Sequence, residues 1–170
     1  MKIVLLGYMA SGKSAVGKKL AEQLNLLFID LDNYIEECEK MSISNIFEQK
    51  GEIYFRKMES IYLKQLFELK KDCIISLGGG TPCYSNNMDV ITENSDSFYL
   101  KATINTIFTR LKNKTSERPL VSTIGIDNLK EFIAKHLFER NVYYEKASET
   151  IIVDEKSIES IVLAIQANLT

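Results

Sequence analysis

Gly7, Gly12, Lys13 and Ser14 stand in the spacing G-x-x-x-x-G-K-S within the stretch GYMASGKSAVG. These residue types at these intervals suit a triphosphate, which carries several negative charges and many acceptor oxygens. A glycine-permitted loop turns its backbone N–H groups toward such a ligand, and the helix that follows aims its positive end at the same charge. In this pattern Ala10, Ser11, Gly12, Lys13, Ser14 and Ala15 wrap the phosphates. Lys13 reaches the β- and γ-phosphates, and the Ser14 hydroxyl sits on Mg2+. An ordinary glycine-containing turn would explain a lone glycine pattern, but not the full motif between a strand and a helix.

Other clusters have chemical and structural readings side by side. FIDLDNYIEE places Asp30 and Asp32 at the end of a second apolar run. Strand alternation points both carboxylates to one side, where they can meet Mg2+-bound water or a substrate hydroxyl. The structural alternative is N-capping of a helix that starts near Asn33. In FEQKGEIYFRKME, Glu52, Arg56 and Glu59 share one helical face, with Glu52 and Arg56 in the favourable ion-pair order. Arg56 is either a surface ion-pair residue or a two-pronged receptor for a carboxylate. Gly78, Gly79 and Gly80 form a flexible loop or an edge that a ligand approaches closely. The basic run with Arg110, Lys112, Lys114 and Arg118 is a solvated face or a source of a transition-state arginine. Arg140, a turn before Tyr143 and Tyr144, fits helix-surface pairing and anion binding equally well. Ser116 stands where a guanine-specifying N-K-x-D motif needs aspartate, so that specificity is excluded.

Five apolar runs must carry these clusters: Ile3–Leu6, Leu26–Ile29, Cys73–Leu77, Ser97–Leu100 and Thr150–Val153. Helical patterns lie between them. Val16, Leu20 and Leu24 repeat after the glycine loop. Ile158, Ile161, Val162, Ile165 and Leu169 form a face near the carboxyl end, with Ser157 as its N-cap. Alternating strands and helices imply an α/β fold with a parallel sheet covered on both faces, and ligands at the carboxyl ends of its strands. Residues 33 to 69 hold more helix than a crossover needs and suit acceptor binding, while the polar run 110–126 suits a lid.

At 170 residues and a formal net charge of −2, the chain suits one domain and gives no global attraction for nucleic acid or an anionic membrane. No apolar run spans a bilayer, and Met1-Lys2 leads straight into the first strand, so no signal peptide is expected. Cys38, Cys73 and Cys83 lack metal-ligand spacing and are expected as reduced thiols. His136 is expected in a solvated or packing role.

Taken together, the motifs resemble the shikimate kinase family across nearly the whole chain. The P-loop, D-x-D at Asp30–Asp32, F-x-x-x-G-E-x-x-F-R-x-x-E at Phe47–Glu59, the triple glycine, R-P-L at Arg118–Leu120 and R-N-x-x-Y at Arg140–Tyr144 occur in family order. The resemblance implies a P-loop three-layer α/β/α fold with a central five-stranded parallel sheet, like the nucleoside monophosphate kinases, in one domain over residues 1–170. Its acceptor-binding segment would lie at about 33–60 and its lid at about 112–124. The implied activity is transfer of the ATP γ-phosphoryl group to the 3-hydroxyl of shikimate, on the route to chorismate and the aromatic amino acids. Mg2+ is the implied cofactor, on Ser14 and Asp30. Lys13, Asp32 and Arg118 are the implied catalytic residues. Asp32, Arg56, Arg140 and the edge Gly78, Gly79 and Gly80 would hold shikimate, and Arg110, Arg118 and Lys156 would join the P-loop on ATP. The expected partners are shikimate and ATP, without nucleic acid or membrane, for a monomer in the cytoplasm. Ala10, where the family often has glycine, Ala15, where threonine is usual, and Val121, where the lid has a second leucine, depart from the pattern. A gluconate kinase of similar fold and a nucleotide-binding switch are the rival readings.

Overall fold

The computed structural model of the chain describes residues 1–113 and 123–169. Its elements run β1 (Lys2–Leu6), α1 (Lys13–Leu24), β2 (Leu27–Asp30), α2 (Leu31–Glu39), α3 (Ile43–Glu68), β3 (Cys73–Ser76), a 3-10 turn (Thr81–Cys83), α4 (Asn87–Asn94), β4 (Asp96–Lys101), α5 (Ile104–Lys112), α6 (Ile126–Tyr144), β5 (Glu149–Ile152) and α7 (Ile158–Gln166). The strands form one parallel sheet in the order β2-β3-β1-β4-β5. Each apolar run read as a strand is one, with its ends moved by a residue or so.

β1 is apolar on both faces because it lies between β3 and β4 under helices on either side, and Ile3 to Leu6 are fully buried. The strand order reverses at β1, so the loop after it opens into the crevice where such sheets bind ligands. Leu5 pairs with Ser76, and Ser76 with Asp30. The ends of β1, β3 and β2 therefore stand level, and the glycine loop, the triple glycine and the aspartates share one edge.

α1 packs against α7, α5 against α6 and α2 against α3. Val16 and Leu20 are buried as the periodicity of α1 implies. Ser157 caps α7 by accepting from the Ser160 N–H. The apolar face read for α7 shortens at both ends. Leu169 lies beyond the helix, which stops at Gln166, and Ile158 is exposed at the rim of a cavity. Residues 33 to 69 are the rest of α2 and a kinked α3, in which Gly51 has φ 84° and ψ 169°. The three cysteines are free thiols. His136 packs on Phe132 and hydrogen-bonds Tyr8 through Nδ1 at 3.1 Å. Among the described residues no helix is long and apolar enough to cross a membrane.

Candidate active site

The first helix begins without a side-chain cap. Gly12 occupies the N-cap with φ 97°, so the first amides of α1 face the loop rather than a serine or aspartate oxygen. Those amides and the helix dipole are what an anion would meet. Ala10 has φ 61°, in the left-handed region. That explains why glycine suits the position, and alanine bears a strain of about 1–2 kcal/mol there. Lys13 is folded into the loop, and its ammonium donates to the carbonyls of Gly7 and Tyr8, each at 2.9 Å.

Asp30 caps the helix, as the structural alternative has it, with one oxygen and meets the P-loop serine with the other. Oδ1 caps α2, accepting from the N–H groups of Asp32 at 3.1 Å and Asn33 at 3.4 Å. Oδ2 accepts from the Ser14 hydroxyl at 2.9 Å. The helix starts at Leu31 rather than near Asn33, so Asp32 belongs to its first turn. Strand alternation therefore does not align the two carboxylates, yet both line the same cavity. The Ser14 hydroxyl on the Asp30 carboxylate, with Asp32 lining the same cavity, is a hard oxygen donor set. It suits a divalent cation that keeps water and takes phosphate oxygens as further ligands.

Burial raises the Asp32 carboxyl to about 6, and the charges of Asp30 and Glu59 push the same way against Lys13 and Arg56. A carboxylate so placed is ionised at neutral pH but close enough to take up a proton.

Arg56 is not a surface ion-pair residue. Its side chain is 18% exposed, and its close partner is Glu59 at 2.9 Å, which is 1% exposed. Glu52, the partner that helix spacing favours, is 3.8 Å from Nε. The reason is tertiary: the Thr81 hydroxyl donates to the other Glu59 oxygen at 2.6 Å and fixes that carboxylate. The guanidinium also lies 4.1 Å over the Tyr84 ring. Arg56 is thus held by one edge and one face, which orients its planar fork.

The triple glycine makes room for charged side chains. A Cβ on Gly78 would sit 2.9 Å from Asp32 Oδ1, one on Gly79 3.1 Å from Arg140 Nη1, and one on Gly80 2.7 Å from Arg56 Nη2. Three successive residues therefore each border one of the three polar residues read as acceptor-binding. Arg140 reaches this turn from α6, over the Tyr8 ring, and the Tyr144 hydroxyl donates to the Gly79 carbonyl at 2.5 Å.

Among the described residues, two cavities border this edge. The larger, about 700 Å3, is lined by the glycine loop from Met9 to Val16 with Asp30, Asp32, Gly78, Gly79, Arg110 and Lys156. Arg110 donates to the Ala10 carbonyl at 2.9 Å. The smaller, about 180 Å3, is lined by Asp32, Arg56, Glu59, the three glycines and an apolar side of Ile43, Phe47 and Phe55. Asp32, Gly78 and Gly79 belong to both. Arg140 abuts the shared wall without lining the smaller cavity. Lys114, Arg118, Leu120 and Val121, and most of the segment read as a lid, lie outside the described residues.

Sequence reasoning missed Asn113, Ile158 and Ile161 in the larger cavity. Asn113 stood out only in the N-K-x-D pattern that Ser116 breaks, and the two isoleucines read as core. It also missed the Glu59–Thr81 pair and the Tyr84 face, although Glu59 shares the helical face of Arg56.

A family model described as shikimate kinase matches residues 9–170. The chain belongs to the shikimate kinase family. A shikimate kinase of Flavobacterium psychrophilum is 48% identical over 157 residues, 92% of this chain and 91% of that protein. The crystal structure of a shikimate kinase from Bacteroides thetaiotaomicron superposes with a TM-score of 0.91 at 34% identity, covering 98% of this chain and 97% of that one. A shikimate kinase from Acinetobacter baumannii, solved in complex with shikimate, gives a TM-score of 0.85 at 28% identity, with 99% and 95% covered. The three-layer shikimate kinase fold is thus the fold of this chain.

Proposed function

We propose that the two cavities are the donor and acceptor sites of one phosphoryl transfer. The observation that carries this is their shared wall of Asp32, Gly78 and Gly79. The reaction is ATP-dependent phosphorylation of the 3-hydroxyl of shikimate, giving shikimate 3-phosphate and ADP on the way to chorismate and the aromatic amino acids. Shikimate presents a ring, a carboxylate and hydroxyls. The smaller cavity offers Ile43, Phe47 and Phe55 to the ring, Arg56 to the carboxylate and Asp32 to a hydroxyl, and Arg140, against Gly79 of its wall, is assigned to the same carboxylate.

In this reading ATP lies along the P-loop, with its phosphates on the amides of Ser11 to Ala15 and on Lys13. Arg110 and Lys156 flank the nucleotide, and Arg118 is assigned to its phosphates through the family motif alone. Mg2+ held by Ser14 and Asp30 would neutralise phosphate charge during transfer. Asp32 orients the 3-hydroxyl in line with the γ-phosphorus and takes up its proton as the new O–P bond forms and the bond to ADP breaks. Phosphoryl transfer asks mainly for positioning and charge stabilisation, and these residues supply both. Residues 33–60 serve as the acceptor-binding segment of a single domain. The protein works as a cytoplasmic monomer.

Arginine-to-lysine substitutions test the acceptor assignment. Lysine keeps the charge but loses the planar fork. Arg56→Lys and Arg140→Lys are each expected to weaken shikimate binding by roughly 1.5–3 kcal/mol, the worth of a lost charge-assisted bond, with ATP affinity unchanged. Titration of shikimate into each variant reads the effect. Wild-type shikimate affinity in both would remove these arginines from the site.

A further inference from the structure

Glu39 ends α2, at the opposite end of that helix from Asp32. Its side chain is only 7% exposed, although it lines neither cavity. Three donors converge on it. Oε2 accepts from the Lys50 ammonium at 3.0 Å and the Tyr54 hydroxyl at 2.8 Å, and Oε1 from the Tyr62 hydroxyl at 2.6 Å. Lys50 also donates to the Tyr54 hydroxyl at 3.1 Å, which closes the network. These bonds hold the Glu39 carboxyl far down, at about 2, so it is ionised throughout the working range.

The donors lie on both sides of the kink in α3. Lys50 precedes Gly51, and Tyr54 and Tyr62 follow it. Nothing lies within 4 Å of a Cβ built on Gly51, so no packing against that residue fixes the bend. The angle between the arms is therefore set by contacts that cross the joint, and the Phe47 and Phe55 rings, 4.7 Å apart between centroids, supply one of them. Glu39 supplies another. The arm before Gly51 supplies Ile43 and Phe47 to the acceptor cavity, and the arm after it supplies Phe55, Arg56 and Glu59.

We propose that Glu39 is a positioning residue for the acceptor site: by tying both arms of the kinked α3 to the end of α2, it sets the placement of Arg56 and Phe47 relative to Asp32. It acts without touching shikimate, and the inference rests on Asp32, Arg56 and Arg140 being the acceptor residues. A carboxylate with several donors specifies one geometry, because any other leaves a buried charge or hydroxyl unpaired.

Steady-state kinetics of Glu39→Gln, Tyr62→Phe, the double variant, Arg56→Lys and Arg140→Lys test this, with shikimate varied at saturating ATP and the reverse. Glu39→Gln is expected to raise the shikimate KM about tenfold and Tyr62→Phe about threefold, with the ATP KM and kcat held within about twofold. The double variant should be no worse than Glu39→Gln, since the two residues act in one network. A merely structural fastening would lower the melting temperature and the active fraction without separating the two KM values. An unchanged shikimate KM in folded Glu39→Gln, or a loss shared equally by both substrates, overturns the proposal. If Glu39→Gln does not fold, Tyr62→Phe decides by the same criteria. Arg140→Lys separates the two levels. A raised shikimate KM there with none in the Glu39 and Tyr62 variants removes the Glu39 proposal alone, and no change in both Arg140→Lys and Arg56→Lys removes the acceptor-site reading and the Glu39 proposal with it.

Discussion

Lys13→Met is expected to abolish turnover while leaving the fold intact. Methionine keeps the apolar stem and most of the volume of a residue that is 9% exposed, so packing survives. What disappears is the ammonium, which in the P-loop reading stabilises the charge that develops on the β- and γ-phosphates. Loss of one such preorganised donor costs about 10²–10³ in kcat, and a full formal charge is expected to cost at least that. The buried bonds to the Gly7 and Tyr8 carbonyls go too, so the melting temperature is expected to fall while the fold persists. ADP release coupled to a far-ultraviolet melt separates the outcomes. A folded variant with near-normal activity would contradict the assignment of the loop.

Asp32→Asn is expected to lose turnover and gain stability. Asparagine keeps the shape and a hydrogen bond but cannot take a proton, and loss of a positioned general base costs about 10²–10⁴ in rate. ATP affinity should hardly change. The stability effect has a definite sign. The folded-state pKa of Asp32 is raised from 3.8 to about 6, so between those values the folded protein binds more protons than the unfolded chain. Stability from this group therefore falls as pH rises through that window, and the cost is complete above it. Removing the charge should stabilise the protein at pH 8 by on the order of 1–3 kcal/mol, an advantage that vanishes below about pH 4. The same ionisation is expected to give the wild-type kcat/KM an acid limb near pH 6, read from a pH–rate profile. Turnover of Asp32→Asn within a few-fold of wild type would remove Asp32 from catalysis. Equal melting of the two proteins at pH 8 would show that Asp32 bears no burial cost.

Much of this was legible because the glycine loop, the aspartate pair and the triple glycine each follow an apolar run. Ile3–Leu6 is buried on both faces, and a strand buried in that way is hard to mistake when a glycine loop follows it. Position along the chain then placed the glycine loop, Asp30 and Gly78 at one sheet edge. Partner choice was not legible. Helix spacing offers Arg56 both Glu52 and Glu59, and Thr81, distant in sequence, selects Glu59. The triple glycine read as a ligand-facing edge, but its three missing Cβ atoms make space for Asp32, Arg140 and Arg56, which come from three different elements. Asp32 was placed with the right neighbours for the wrong reason, since its helix starts two residues earlier than the capping pattern suggested. Glu39 gave no signal, because its partners lie 11 to 23 residues away across the Gly51 kink.

In the proposed reaction this chain couples ATP cleavage to one small acceptor held between Asp32 and the two arginines. The most direct measurement is ADP release by the purified protein with ATP and Mg2+, alone, with shikimate and with gluconate, while phosphorylated product is followed in parallel. Rapid ADP release only with shikimate, matched mole for mole by shikimate 3-phosphate, is the expected result. ADP release of the same rate without shikimate, or greater with gluconate, would contradict it.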